Sequence, residues 1–251
     1  MNPHCRASLR CCLLALCASC SDNSEESEEL PLSTTDVPAP FNPDVAYAPD
    51  VTPAELDADV DNPLFPAPLG ARWVYSGNTE DGVERTEVVV QPDPRAVWGA
   101  MARVVRDTVS LEGEMVEDTM DWYSQDTDGN VWYMGEDTAE YENGVVVSTS
   151  GAWESGVSAA LPGVIMLASP RVGDVYRQEY LPGEAEDLAS VVSLDETVTV
   201  PAGTFTGCLK TRERSALDPD VDEFKYYCPG IGNVLVEEED VREELIEYSG
   251  L

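Results

Sequence analysis

From Pro63 to Leu251 the sequence is cut about every ten residues by Gly, Pro, Asn or Asp, and the pieces between are short. "RWVYSG", "RTEVVVQ", "ARVVRDTVSL", "NVWYMG", "SVVSLDETVTV" and "FKYYCPG" are rich in Val, Thr, Tyr and Trp. Segments of that kind fold as strands joined by tight turns. The expected class is mainly β, as one antiparallel curved sheet or half-barrel, and roughly 190 residues suffice for a single core. "GVSAALPGVIML" and "GEAEDLAS" read as one or two short helices. Hairpins are expected at "DTDGN" (126–130), "ENG" (142–144) and "LDPD" (217–220).

A gapless shift of 103 residues lays Gly70 on Gly173, Trp73 on Tyr176, Val88 on Val191, Tyr123 on Tyr226, and "GNV" at 129–131 on "GNV" at 232–234. The expectation is two duplicated halves, 66–137 and 169–240, each of about five strands, merged into one surface.

The text before Pro63 is of another kind. Residues 21–62 are dominated by Pro, Ser, Thr, Asp and Glu, a composition that buries too little to offset the entropy of ordering. An acidic disordered tether over 20–62 is expected, with an interaction tail as the alternative. Before it stand His4, Arg6 and Arg10, the apolar run "CCLLALCAS", and then Cys20. The run has the length of a signal-peptide core and is too short to span a bilayer. Ala18, Ser19 and Cys20 resemble a bacterial lipobox, although Cys17 stands where Leu is usual. That resemblance implies a lipoprotein signal peptide over 1–19 and lipidation of Cys20. The alternative is an ordinary secretory signal cleaved near Ser19. Ser21 follows the cysteine and Asp22 comes one place too late for inner-membrane retention, so the resemblance implies the outer membrane.

The formal net charge is −35, and losing Arg6 and Arg10 with a leader makes it more negative. Such a chain is repelled by nucleic-acid phosphates and by anionic lipid surfaces, so no nucleic acid is expected as a partner and the membrane link falls to the lipid. Lys210 and Lys225 are the two lysines, a pattern of salt adaptation or of acid kept for solubility. His4 is the single histidine and leaves with the leader. A mature chain without histidine cannot run Ser-His-Asp or Cys-His catalysis or hold a His-ligated metal.

Downstream, "VTVPAGTFTGCLKTRE" followed by "YYCPGIGNVLVEEE", with "FPAPLGARWVY" as first strand, resembles a group of uncharacterised bacterial envelope lipoproteins. The resemblance covers most of 63–251 and implies a curved antiparallel sheet, similar in outline to periplasmic lipoprotein carriers. It implies no reaction. Cys228 departs from the group, which carries another small residue there.

Cys208 and Cys228 are equally far from Asp218, the centre of the "LDPD" hairpin. In an exported, oxidised chain that symmetry predicts a cross-strand disulfide, with two separate buried thiols as the alternative. Asp126, Asp128 and Asn130, and Asp218, Asp220 and Asp222, place oxygens at alternate positions on tight loops. They are weak calcium candidates, since Val131 and Asp137 break the EF-hand pattern; the alternative is turn chemistry. No other cofactor is expected. Trp73, Tyr75, Trp122 and Trp132 are candidates for a ligand face taking an apolar or carbohydrate ligand, against ordinary sheet packing. No carboxylate pair stands out for glycoside hydrolysis.

The sequence thus reads as a non-enzymatic, lipid-anchored cell-envelope protein with a structural or ligand-binding role and no identifiable protein partner. The alternatives are a carrier or receptor for an apolar or carbohydrate ligand, and a histidine-free hydrolase.

Overall fold

A computed structural model describes residues 46–218, 220–239 and 241–251. The leader over 1–19, the candidate lipidation site Cys20 and the acidic segment as far as residue 45 lie outside the described residues. After a 3-10 turn at Pro53–Glu55 comes β1 (Leu56–Asp57). A meander follows: β2 (Arg72–Thr79), β3 (Gly82–Val90), the short β4 (Arg95–Val97), β5 (Ala100–Leu111), β6 (Glu114–Asp126) and β7 (Val131–Glu142). Two short strands, β8 (Val145–Ser148) and β9 (Trp153–Glu154), fold back on β7 and lead to β10 (Leu161–Met166). The second meander is β11 (Val175–Arg177), β12 (Glu179–Tyr180), β13 (Asp187–Val200), β14 (Gly203–Ser215), β15 (Glu223–Cys228), β16 (Gly232–Glu238) and β17 (Val241–Ser249).

Every pairing is antiparallel, and the expected curved sheet goes almost to closure. β17 returns to β2, with Glu243 opposite Gly77 and Ser249 opposite Arg72. On the other side β7 pairs with β10, and β10 pairs with β12 through Leu161–Tyr180 and Pro162–Glu179. β11, on the same run of chain as β12, pairs with β13. Thirteen strands therefore form a barrel with a seam at β10–β12. β1, β4, β8 and β9 are additions to that ring.

The shift of 103 residues carries β2, β3, β5 and β6 onto β11, β13, β14 and β15, and the order of pairing is the same in both sets. It does not carry every facing correctly. Tyr123 lines the interior, whereas Tyr226 lies beside Lys210 and bonds Glu237; the interior partner of Tyr123 by facing is Tyr227. Irregular pairing of β13 with β14 after Val191 supplies the slip, because one residue reverses a strand's faces.

Two expectations fail. The first is the helices. "GVSAALPGVIML" forms turns and then β10, and "GEAEDLAS" forms a bridge between Leu181 and Ala185 and the start of β13. Pro162 and Gly163 oppose a helix, and a Cβ on Gly163 would collide with the Gln178 carbonyl. Pairing with β11 and β14 outweighs local helix propensity in the second segment. The second failure is the tether boundary at 62. Residues 46–62 pack on the barrel: Val51, Leu56, Ala58 and Val60 are buried, and the Tyr47 hydroxyl donates to the Pro162 carbonyl at 2.8 Å. Asn62 donates to the Gly129 carbonyl at 2.9 Å, and the Gln125 amide oxygen accepts from the backbone of Asp61 and Asn62. Leu56, Ala58 and Val60 alternate, which is a strand-like signal diluted by the surrounding acids.

Apolar side chains fill much of the interior, around Val90, Val105, Tyr133, Ile165, Leu209 and Leu245. A second apolar cluster forms where residues 46–62 and β4 cover Trp122, Trp132 and Met134.

Candidate functional site: a charged pocket inside the barrel

Side chains alternate along each strand. In β6 that sends Asp121 and Tyr123 inward and Trp122 outward; in β15 it sends Glu223, Lys225 and Tyr227 inward. Facing strands therefore bring charged groups into the barrel beside aromatic ones. They bound a cavity of about 200 Å³. Phe65, Trp73, Tyr75, Val88, Val90 and Val105 give it an apolar wall, and Asp107, Asp121, Glu223, Lys225 and Glu243 give it a charged end.

Lys225 is the hub of the charged end. Its ammonium lies 2.9 Å from a carboxylate oxygen of Glu213 and 2.9 Å from one of Glu223. Thr211 and Tyr227 donate to the other Glu213 oxygen at 2.9 and 3.2 Å. The Tyr133 hydroxyl donates to Asp121 at 2.5 Å. Thr86 donates to Glu243 at 2.6 Å. Glu179, on β12, is fully buried and neither of its carboxylate oxygens has a hydrogen-bond partner.

Burial of so many acids shifts their titration. Burial pushes Asp121 up to about 7, against the Tyr133 hydrogen bond, with Glu117 adding to the rise and Lys225 opposing it. Burial holds Glu179 well above the usual carboxylate range, reinforced by Asp187 and Glu136. Asp187 rises to about 6 by burial, moderated by Ser215 and Lys225. Glu223 is raised by burial despite the Lys225 ammonium. The site is thus a set of carboxyls poised to exchange protons near neutral pH around one fixed cation.

The sequence-predicted residues distribute unevenly. Trp73 and Tyr75 line the cavity, their N–H and O–H donated to the Ile231 and Asn233 carbonyls at 2.7 and 2.9 Å. Trp122 and Trp132 do not join them. They lie on the outer side of the sheet under residues 46–62, with the Arg95 guanidinium 3.7 Å from the Trp122 ring centre. The four aromatics therefore form no single ligand face, because Tyr123 and Tyr133 take the inward positions of β6 and β7 and their neighbours Trp122 and Trp132 point outward.

Asp126, Asn130, Asp218 and Asp222 are engaged as turn and ion-pair groups, and Asp128 and Asp220 join the turns through their backbone N–H. Asp126 accepts from the backbone of Asp128 and Asn130 and from the side chains of Asn130 and Trp132. The Asn130 side-chain oxygen accepts from the Ala168 backbone. Asp218 accepts from the backbone N–H of Asp220, and Asp222 is gripped by Arg212 and Arg214. Among the described residues, no group of three or more His, Cys, Asp or Glu could hold a metal ion. Cys208 and Cys228 are joined, S–S 2.05 Å, at the end of the β14–β15 ladder in which Leu209 faces Tyr227.

No known protein family matches the sequence, and no curated protein matches it. A solved structure to which the chain is similar is that of a "putative lipoprotein" from Parabacteroides distasonis, 15% identical, covering 74% of this chain and 98% of that one with a TM-score of 0.39. A likeness that distant carries no argument about the site.

The sequence carries no signal for Glu213, Asp121 and Glu179 as site residues; it marks Lys225 only as one of two lysines and Glu223 only as an acid beside the Asp218, Asp220 and Asp222 ladder. Alternating Glu, Lys and Tyr in "EFKYY" reads as a solvated strand face. Only near-closure of the sheet turns that face into an interior.

Proposed function

We propose that the chain is a lipid-anchored protein of the bacterial envelope, at the outer membrane, whose barrel binds a small ligand with an apolar body and performs no catalysis. The cavity bounded by Trp73, Tyr75, Val88 and Val105 carries this reading, because it joins an apolar wall to a charged end. The Ala18-Ser19-Cys20 junction and the resemblance of "VPAGTF" and "CPGIGNV" to envelope lipoproteins support the location. A histidine-free hydrolase is less well supported. The two carboxyls it would draw on, Asp121 and Glu223, are held by Tyr133 and by Lys225.

The test is calorimetric titration of the full-length protein with hexan-1-ol. Saturable binding is expected, and Val88→Phe, which fills the apolar wall, should weaken it by about tenfold or more. Equal binding by the folded variant, or absence of saturable binding by hexan-1-ol and by its amine and carboxylate analogues alike, overturns the ligand role.

A further inference from the structure

We infer that the barrel pocket takes an organic cation: an ammonium group carried on a short apolar body. This rests on the reading of the pocket as a ligand site.

Charge is the starting point. Among the described residues lining the cavity, Asp107, Asp121, Glu223 and Glu243 are acids and Lys225 is the one base. That ammonium also serves Glu213, which stands behind the wall. Glu179 adds a carboxyl that is fully buried with neither oxygen hydrogen-bonded, and its field reaches Asp121 and Lys225. Hydrogen bonds from Tyr133 to Asp121 and from Thr86 to Glu243 ease desolvation but cancel no charge. Buried acid in excess is neutralised by protons or by a cation.

Both ends of the pocket suit the second. At the charged end an ammonium meets the field of the carboxyls, where an anion is repelled and a neutral ligand gains nothing. Along the wall Trp73, Tyr75 and Val88 offer apolar surface that covers an alkyl or aryl body. A cavity of about 200 Å³ admits a body of about seven non-hydrogen atoms, taking about 30 Å³ each as for water.

Binding is linked to protons. An alkylammonium stays charged at neutral pH, whereas Asp121 titrates at about 7. The cation favours the ionised carboxyl, so binding releases a proton below that pH and tightens as the pH rises through it.

The experiment titrates the full-length protein with hexylamine, hexan-1-ol and hexanoate at pH 6 and pH 8. Hexylamine should bind about tenfold tighter than hexan-1-ol at pH 8, with hexanoate weakest. Its affinity should rise about fivefold or more from pH 6 to pH 8 while that of hexan-1-ol stays level. Asp121→Asn should shrink the amine preference and its pH dependence and leave hexan-1-ol binding in place. Should that variant not fold, the wild-type ratio of amine to alcohol decides alone. Equal affinities for amine and alcohol, or pH-independent amine binding, overturn the cation and leave the pocket a ligand site. Failure of all three probes overturns both readings.

Discussion

Asp121 shows how a single side chain ties stability to pH. Its carboxyl is buried, accepts one hydrogen bond from Tyr133, and titrates at about 7 instead of the ordinary 3.8. A folded-state value above the unfolded one contributes stability that is fully present below about pH 4 and is lost as the pH rises through 7. A tenfold change in proton affinity is worth about 1.4 kcal/mol, so the loss approaches about 4 kcal/mol by pH 8. Asp121→Asn, which keeps the acceptor for Tyr133 without a charge, should therefore stabilise by about 2–4 kcal/mol at pH 8 and little at pH 4. Urea unfolding at the two pH values checks this, and a variant less stable than wild type at pH 8 contradicts it. Such a residue is illegible in the sequence, since an Asp between Met120 and Trp122 is one acid among 49. The turn residues are the opposite case. Asp126 and Asn130 bond to each other within five residues of chain, and local chemistry of that kind is written locally.

At the scale of elements, the β14–β15 hairpin was readable because its turn fixes its register. Leu209 faces Tyr227 and Lys210 faces Tyr226, and the disulfide continues the same ladder. Closing a loop of 20 residues by that bond restrains the unfolded chain by about 3 kcal/mol. Replacing both Cys208 and Cys228 by Ser should leave the fold intact and lower the melting temperature by several degrees, about 2–4 °C for each kcal/mol at this size. Circular dichroism melts give the answer, and an unchanged melting temperature would mean that the bond adds nothing to stability. β1 and β12 were not readable. Each is two residues long and exists only because β6 or β10 offers an edge to pair with. The supposed helices failed for a related reason: β7, β11 and β14 offer edges that make them strands.

For the whole molecule, the strand class and curvature were legible, since both follow from composition and turn spacing. Closure was not, because it depends on strands far apart in sequence. Anchoring is a property of this scale too. Packing on the barrel begins by Tyr47, whose hydroxyl bonds Pro162, so at most 26 residues lie between that contact and Cys20. If Cys20 carries the lipid, Cys20→Ala should move the protein from the membrane to the soluble fraction and abolish fatty-acid labelling; equal labelling of both would defeat the anchor. The β17–β2 junction has a further consequence, in time rather than in space. Arg72 and Glu247, bonded across it at 2.8 Å, are 175 residues apart. Ribosomes deliver the chain at about 5–20 residues per second, so β2 waits on the order of ten seconds or longer for its partner. Until β17 emerges, β2 and β16 are open edges that invite pairing with other chains. An unfolded chain passing through a membrane in an extended state, and folding only afterwards, meets that hazard late and once.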